Sequence, residues 1–145
     1  MEIEQYLHEH IPISRHMGVT VSHYNDEHVE LSMSLKPNLN HRSTAFGGSI
    51  STLGILAGWT LLHMQFCNTA AVPRLVVQRS ETRFLKPVMA DFTALCAMPS
   101  ASSWAHFLKT LSKHSRARIS LVSELRVGQD PVAYHDGDFV AELAK

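Results

Sequence analysis

The chain has 145 residues, which is the size of a single domain with one hydrophobic core. Hydrophobic residues make up 45% of the chain and charged residues 18%, a composition that excludes a disordered protein. The formal net charge is zero, which argues against a nucleic-acid-binding protein that relies on a strongly basic surface. We therefore predict no nucleic-acid partner.

We also predict a cytoplasmic protein that does not associate with a membrane. Cys67 and Cys96 lack the spacing of a zinc site or a redox motif, and free thiols suit a reducing compartment. The first ten residues, MEIEQYLHEH, are acidic and contain no apolar signal segment. Residues 47–66 carry no Asp, Glu, Lys or Arg, but their polar residues indicate a buried helix rather than a membrane span.

The N-terminal half predicts a short helix, two strands and a longer helix. The helix over residues 2–10 should end before Pro12, and MGVTVSHYND and HVELSMSLKP should form strands joined by a turn at residues 25–26. Residues 48–66 predict a helix of about five turns that is apolar on nearly every side. A sheet should approach this helix closely at three small residues, Gly54, Ala57 and Gly58. Glycine in the interior of a helix lowers its stability, so close packing is the explanation for the two glycines.

The C-terminal half predicts four strands interrupted by a short helix. LVVQRSETRFLKP and DFTALCAMP should be strands separated by a turn at residues 88–90, and SASSWAHFLKTLSK should be a helix capped by Ser102 or Ser103. RARISLVSELRV alternates apolar and polar residues, and a last strand over residues 132–140 should be kinked at residues 135–138. Residues 1–145 therefore predict a single α+β domain with an antiparallel sheet wrapped around one long apolar helix.

Residues 38–50, NLNHRSTAFGGSI, form the most informative segment. Two glycines follow a polar loop at the predicted start of the long helix. They either let the backbone turn and pack closely, or bring unpaired amide groups at the positive end of the helix dipole against a negatively charged group. Asn40 is likewise either a turn residue or a hydrogen-bond donor in a site. The second interpretation makes this loop a candidate active site.

The order of the elements, with two strands, a polar loop, Gly-Gly opening an apolar helix and then an antiparallel meander, resembles the hot-dog fold of acyl-thioester enzymes. PNLNHRSTAFGGSISTLGILAGW, RFLKPVMADF and DGDFVA are more narrowly similar to one branch of that fold. This branch is the putative-thioesterase domain found alone or fused behind acetyltransferases, and it includes malonyl-acyl-carrier-protein decarboxylases. The resemblance covers nearly the whole chain and implies a homodimer or a dimer of dimers, with sites shared between subunits.

The same resemblance identifies candidate site residues. Other hot-dog thioesterases carry an asparagine, a His-Gly-Gly whose histidine lies six residues later, and a helix carboxylate nine residues after that histidine. Asn40, Gly47 and Gly48 match the asparagine and the glycines, whereas Phe46 occupies the histidine position and Ile55 the carboxylate position. The resemblance thus implies a framework that binds a thioester carbonyl but lacks the usual group that activates water.

The missing base favours decarboxylation over hydrolysis. Hydrolysis requires a nucleophile or a general base beside a water molecule, and isoleucine supplies neither. Decarboxylation of a malonyl thioester requires that the enolate oxygen be stabilised, which helix N-terminal amides and a neutral carboxamide can do. We therefore predict decarboxylation of malonyl-acyl carrier protein in fatty acid synthesis, with no cofactor and no metal. The predicted catalytic residues are Asn40, Gly47 and Gly48, and the predicted substrate-binding residues are His41, Thr44, Phe46, Ile55 and Ser80.

Two other functions stay open on the sequence alone. An acyl-coenzyme A or acyl-carrier thioesterase could use His41 as a base through a water molecule, and a non-catalytic module could bind acyl thioesters without changing them. The basic residues also permit two interpretations, a solvated edge that discourages strand pairing or a docking surface for an acidic carrier protein or coenzyme A. These residues are Lys109, Lys113, Arg116 and Arg118.

Overall fold

Six strands form one antiparallel sheet in the computed structural model, which describes residues 2–144. The strands are β1 (Val19–Tyr24), β2 (His28–Met33), β3 (Arg74–Phe84), β4 (Phe92–Ala97), β5 (Arg116–Val127) and β6 (Asp130–Glu142). Their order in the sheet is β1-β2-β4-β5-β6-β3, and every neighbouring pair is antiparallel. The later strands are therefore not a simple meander, because the chain leaves β3 at one edge and returns to pair β4 with β2 and β5.

Within residues 2–144, four helices accompany the sheet. They are α1 (Glu2–His10), α2 (Pro12–His16), α3 (Gly47–Phe66) and α4 (Ala101–His114), and a short 3-10 helix covers Lys36–Asn38. The helix α3 contacts β2, β3, β4, β5 and β6, and it begins one residue earlier than predicted. Pro12 ends α1 as predicted but also begins α2, since a proline in the first helical turn lacks only an N–H that would have no partner there.

The glycines of α3 allow the close helix–sheet approach that the sequence predicts. A side-chain carbon at Gly58 would lie 2.6 Å from Cζ of Phe139, and one at Gly54 would lie 2.7 Å from Cγ of His135. Both partner residues are buried on β6. Because no real side-chain carbon is found so close to another heavy atom, only glycine fits at these two points of contact. The prediction of close packing is confirmed.

Two local predictions are wrong. The N-cap of α4 is Ser100, whose hydroxyl accepts from the Ser103 amide, rather than Ser102 or Ser103. The last strand is not kinked, since β6 runs without interruption from Asp130 to Glu142. Gly137 fits between the rings of its strand neighbours in the buried face of β6, so the turn-like DGD sequence continues as a strand.

Other predictions concern membranes, metals and thiols. Among residues 2–144, no helix combines the length and apolarity needed to span a membrane. The same residues bring together no group of three or more His, Cys, Asp or Glu side chains able to hold a metal ion. Cys96 is buried and Cys67 half-buried, both as free thiols, and burial raises the pKa of the Cys96 thiol to about 11.

Candidate active site

The loop before α3 is held at its ends by backbone hydrogen bonds. The Phe46 amide donates to the Asn38 carbonyl (2.7 Å), and the Ala45 amide donates to the Val88 carbonyl (2.8 Å). The Asn38 side chain is buried, and its Nδ2 donates to two backbone carbonyls at the ends of β1 and β2. Residues 40–46 therefore have a fixed position relative to the sheet, as a site for a small ligand requires.

The Asn40 side chain is engaged within its own loop. Its Oδ1 accepts from the amides of Arg42 (2.8 Å) and Thr44 (3.2 Å), and its Nδ2 donates to the Thr44 hydroxyl (2.8 Å). A longer contact of 3.4 Å joins Nδ2 to the Ala45 carbonyl. Asn40 thus shapes a tight turn in which Ser43 adopts a positive φ of 63°. The long contact is the weakest of the four, and it is the one that a ligand oxygen can replace most cheaply.

Gly47 and Gly48 are the first two residues of α3, and their amides have no acceptor among residues 2–144. A side-chain carbon at Gly48 would lie 2.5 Å from the ring of Phe46, so glycine lets this exposed ring fold against the helix. Gly47 lies against the ring of Phe84 on β3. Two free amide donors at the positive end of a 20-residue helix can stabilise a negatively charged oxygen.

We call the contact line between α3 and β3 the α3–β3 seam, and its hydrogen bonds align the two elements. The hydroxyls of Ser51 and Thr82 lie 2.7 Å apart, and the Trp59 indole donates to the Leu75 carbonyl (3.2 Å). Residues four apart lie on one stripe of a helix, so Ile55 occupies the stripe position between these two contacts. The partly buried Ile55 side chain therefore faces the middle of β3.

No carboxylate of residues 2–144 faces the α3–β3 seam. The helix α3 contains none, and the nearby Glu81, Asp136 and Asp138 all bind Arg79 on the opposite face of the sheet. Hydrogen bonds from Arg79 and Ser120 hold the pKa of the Asp138 carboxyl below its usual value. The seam is therefore without an acidic side chain at the level of Ile55.

The structure instead brings Ser80 and His135 together in the seam. Nε2 of His135 lies 2.7 Å from the Ser80 hydroxyl, and the imidazole is buried beneath Gly54. Burial lowers the pKa of His135, so the ring is neutral at pH 7. Ser80 is one of the predicted substrate-binding residues, whereas His135 is not among the predicted site residues. The alternation His135-x-Gly137-x-Phe139 in the sequence could have revealed its inward direction.

The candidate base His41 and the buried His63 of α3 both lie outside this pair. His41 is exposed, and its side chain forms no hydrogen bond with residues 2–144. His63 lies 16 residues beyond Gly47 along α3, about 24 Å away. Its ring packs against those of Tyr6 (4.2 Å between centroids) and Trp59 (5.1 Å), which is a packing role.

Comparison with known proteins shows the family and the fold of the chain. Residues 1–143 match the model of the family described as "Putative thioesterase (yiiD_Cterm)". The chain belongs to this family. A protein of unknown function from Chlorobaculum tepidum TLS, OLEI01261, is 26% identical over 97% of this chain and 92% of that chain, with a TM-score of 0.85. The putative thioesterase from Shewanella oneidensis is also 26% identical, over 97% of this chain and 95% of that chain, with a TM-score of 0.85.

A third structure shows the same fold at lower identity. The protein PA5026 from Pseudomonas aeruginosa, described as a probable thioesterase, is 21% identical over 99% of this chain and 95% of that chain, with a TM-score of 0.86. The predictions of the putative-thioesterase family and of the hot-dog fold are therefore confirmed. Membership of the family implies that the substrate is an acyl thioester.

Proposed function

We propose that the protein decarboxylates a malonyl thioester, in particular malonyl-acyl carrier protein, to the acetyl thioester. The observation that carries this proposal is the apolar side chain of Ile55 in a seam to which no Asp or Glu of residues 2–144 points. Hydrolysis at this position would need a base to take a proton from water. Decarboxylation needs none, because the substrate's own carboxylate supplies the leaving group.

The proposed reaction breaks one carbon–carbon bond. Carbon dioxide leaves, and the electron pair of the broken bond forms an enolate whose negative charge lies on the thioester oxygen. A proton from water then adds to the carbon and gives the acetyl thioester. The amides of Gly47 and Gly48 and one N–H of Asn40 are the donors available for the enolate oxygen. One such donor typically contributes ~10²–10³ in rate.

Thioester hydrolysis is the second candidate, and the Ser80–His135 hydrogen bond favours it in one protonation state. If Nε2 of His135 accepts the Ser80 proton, the two residues could act as base and nucleophile. Family membership also fits hydrolysis of acyl thioesters. The third candidate, a module that binds acyl thioesters without changing them, has no specific contact in its favour.

Product analysis by mass spectrometry tests these functions against each other. We expect malonyl-acyl carrier protein, labelled with ¹³C in its free carboxyl group, to yield acetyl-carrier and labelled carbon dioxide. Acetyl-carrier supplied as substrate should remain intact, which is the control for hydrolysis. Free carrier thiol with intact malonate would overturn decarboxylation in favour of hydrolysis. Malonyl-carrier that is bound but unchanged would leave only the binding module.

The exposed edge of β3 supports a homodimer. This strand has 11 residues, pairs among residues 2–144 only with β6, and exposes Val76 and Val77 along with Phe84. Phe46, whose ring lies against Gly48, and Met89, which follows the residue hydrogen-bonded to the Ala45 amide, add exposed apolar surface, 58% and 73% accessible. An open, apolar edge of this length is a site for pairing with another chain. Pairing of two β3 edges would cover the glycine amides and turn an open surface into a pocket.

The basic residues of α4 and β5 support docking of an acidic carrier protein. Residues 92–123 contain no Asp or Glu, and within the described residues Lys109, Lys113, Arg116 and Arg118 form no salt bridge. Thr110 of α4 lines the same groove as the two arginines of β5. Cations without a salt-bridge partner on one surface speed the association of an oppositely charged partner.

Reversal of one charge on this surface should weaken carrier binding specifically. We expect Lys113→Glu to raise the KM for malonyl-carrier on the order of tenfold at low salt while kcat is unchanged, because repulsion acts on association. The matched control is Arg15→Glu, an exposed cation on α2, which should leave the KM unchanged. Steady-state kinetics at two salt concentrations measure both. An equal change in the two variants would contradict docking on α4 and β5.

A further inference from the structure

Ser80 and His135 lie at the level of Ile55, the helix position to which the resemblance assigns the carboxylate of other hot-dog thioesterases. The contacts Ser51–Thr82 and Trp59–Leu75 align α3 with β3, and Ile55 lies between them. Gly54, the residue before Ile55, lies directly over the ring of His135, and His135 contacts the Ser80 hydroxyl. The pair therefore sits in the seam at the level of Ile55, on the strand side.

The hydrogen-bond partners of His135 indicate which nitrogen carries its proton. The side chain is 1% exposed, Nε2 contacts Ser80, and Nδ1 has no partner among residues 2–144. A neutral imidazole has one N–H. A buried N–H without an acceptor costs more than a buried lone pair without a donor, so the proton belongs on Nε2. The Nε2–H group then donates a hydrogen bond to the Ser80 oxygen. This leaves the Ser80 O–H group free to donate a hydrogen bond to a ligand.

We infer that the Ser80 hydroxyl donates a hydrogen bond to the acyl group of the substrate, and that His135 is the positioning residue that orients this hydroxyl. The inference rests on the proposed function, because a donor without a base stabilises a carboxylate or an enolate but does not start hydrolysis. In this arrangement Ser80 is not a nucleophile, since Nε2 of His135 already carries a proton and cannot accept another.

The distance along α3 restricts how the Gly47 amide and the Ser80 hydroxyl can act together. Gly54 lies seven positions after Gly47, which is about 10 Å along a helix. A malonyl group is too short to contact the Gly47 amide and the Ser80 hydroxyl of one chain together. Both can act on one acyl group only if they come from two protomers, which the exposed β3 edge permits.

The first test replaces His135 by two residues whose amide side chains differ in length. Glutamine places an N–H close to the position of Nε2, whereas the shorter asparagine ends near the position of Nδ1. We expect His135→Gln to keep the rate within a few-fold and Ser80→Ala to lose roughly 10–100-fold, because it removes one hydrogen bond to a charged group. His135→Asn should lose a similar factor, because it leaves the Ser80 hydroxyl without the partner that orients it toward that group. Ser120→Ala, an exposed hydroxyl on the opposite face of β5, should leave the rate unchanged.

The inference is overturned if His135→Gln is as inactive as His135→Asn while both are folded, or if the mass of the enzyme reveals an acyl group on Ser80. Nitrogen-15 NMR of the wild-type protein provides a test that needs no variant, since a proton on Nδ1 rather than Nε2 would also overturn it. These measurements hold for whichever product is found. Free thiol with an active His135→Gln would reject the proposed decarboxylation but not the role of Ser80.

Co-expression of Asn40→Ala and Ser80→Ala chains under two affinity tags tests the two-protomer condition. If each site combines Asn40 of one protomer with Ser80 of the other, purified heterodimers regain one intact site and about half of the wild-type activity. If both residues act within one chain, heterodimers stay as inactive as the parents, and the assignment of Ser80 to the same acyl group is overturned.

Discussion

Gly54→Ala is expected to destabilise the protein, although alanine is the better helix former. In an open helix this substitution would stabilise by about 1 kcal/mol. Here the new methyl group would lie 2.7 Å from Cγ of His135, and closer still to its Cβ. The strand β6 cannot move away, because it is paired on both sides, with β5 and β3. We expect a loss of about 1–3 kcal/mol or more, as overpacked cores lose.

Urea denaturation measures this effect, and a second glycine of the same helix provides the control. A side-chain carbon at Gly47 would meet only the Phe84 ring at 3.4 Å, an ordinary contact, so Gly47→Ala should unfold near the wild-type midpoint. Gly54→Ala should also displace His135 and so reduce activity beyond its effect on folding. A Gly54→Ala protein as stable as the Gly47→Ala protein would mean that α3 is not in close contact with β6 at Gly54.

The sequence predicts the main elements of this fold because their signals are local. Strict alternation identifies β2 and β5, and an uncharged 20-residue segment identifies α3 as a buried helix. The position of β3 at the sheet edge could not be predicted, because strand order depends on contacts between residues far apart in the chain. The sequence DGD likewise favours a turn until its two carboxylates meet Arg79 across the strand pair.

The candidate site likewise contains residues that the sequence indicates and residues that only the fold brings together. Asn40, Gly47 and Gly48 lie within nine residues of one another, so a family motif can indicate them from the sequence. The Ser80–His135 pair joins residues 55 positions apart, and only the register of β3 with β6 brings them together. No sequence motif indicates a function for a single inward-facing histidine. The contact of the buried His135 with Gly54 in the structure is the first observation that draws attention to it.

Asn40→Ala should have the largest effect on activity. The substitution removes the Nδ2 donor and also the Oδ1 acceptor that holds the amides of Arg42 and Thr44. We expect kcat/KM for malonyl-carrier to fall ~10²–10³-fold, the usual effect of losing one donor to a developing oxyanion. Stability should fall by only about 1 kcal/mol, since the lost hydrogen bonds lie in a half-exposed loop.

Asn25 provides a matched control for this substitution, because it forms the same kind of turn far from the seam. Its Oδ1 accepts from the amides of Glu27 (2.8 Å) and His28 (3.0 Å) between β1 and β2. Asn25→Ala should cost similar stability and leave kcat/KM unchanged, so the comparison separates loop geometry from chemistry. Full activity in Asn40→Ala would reject the site assignment. Equal losses of activity in both variants would reduce Asn40 to a structural turn residue and leave the Gly47 and Gly48 amides and the Ser80 hydroxyl as the proposed donors.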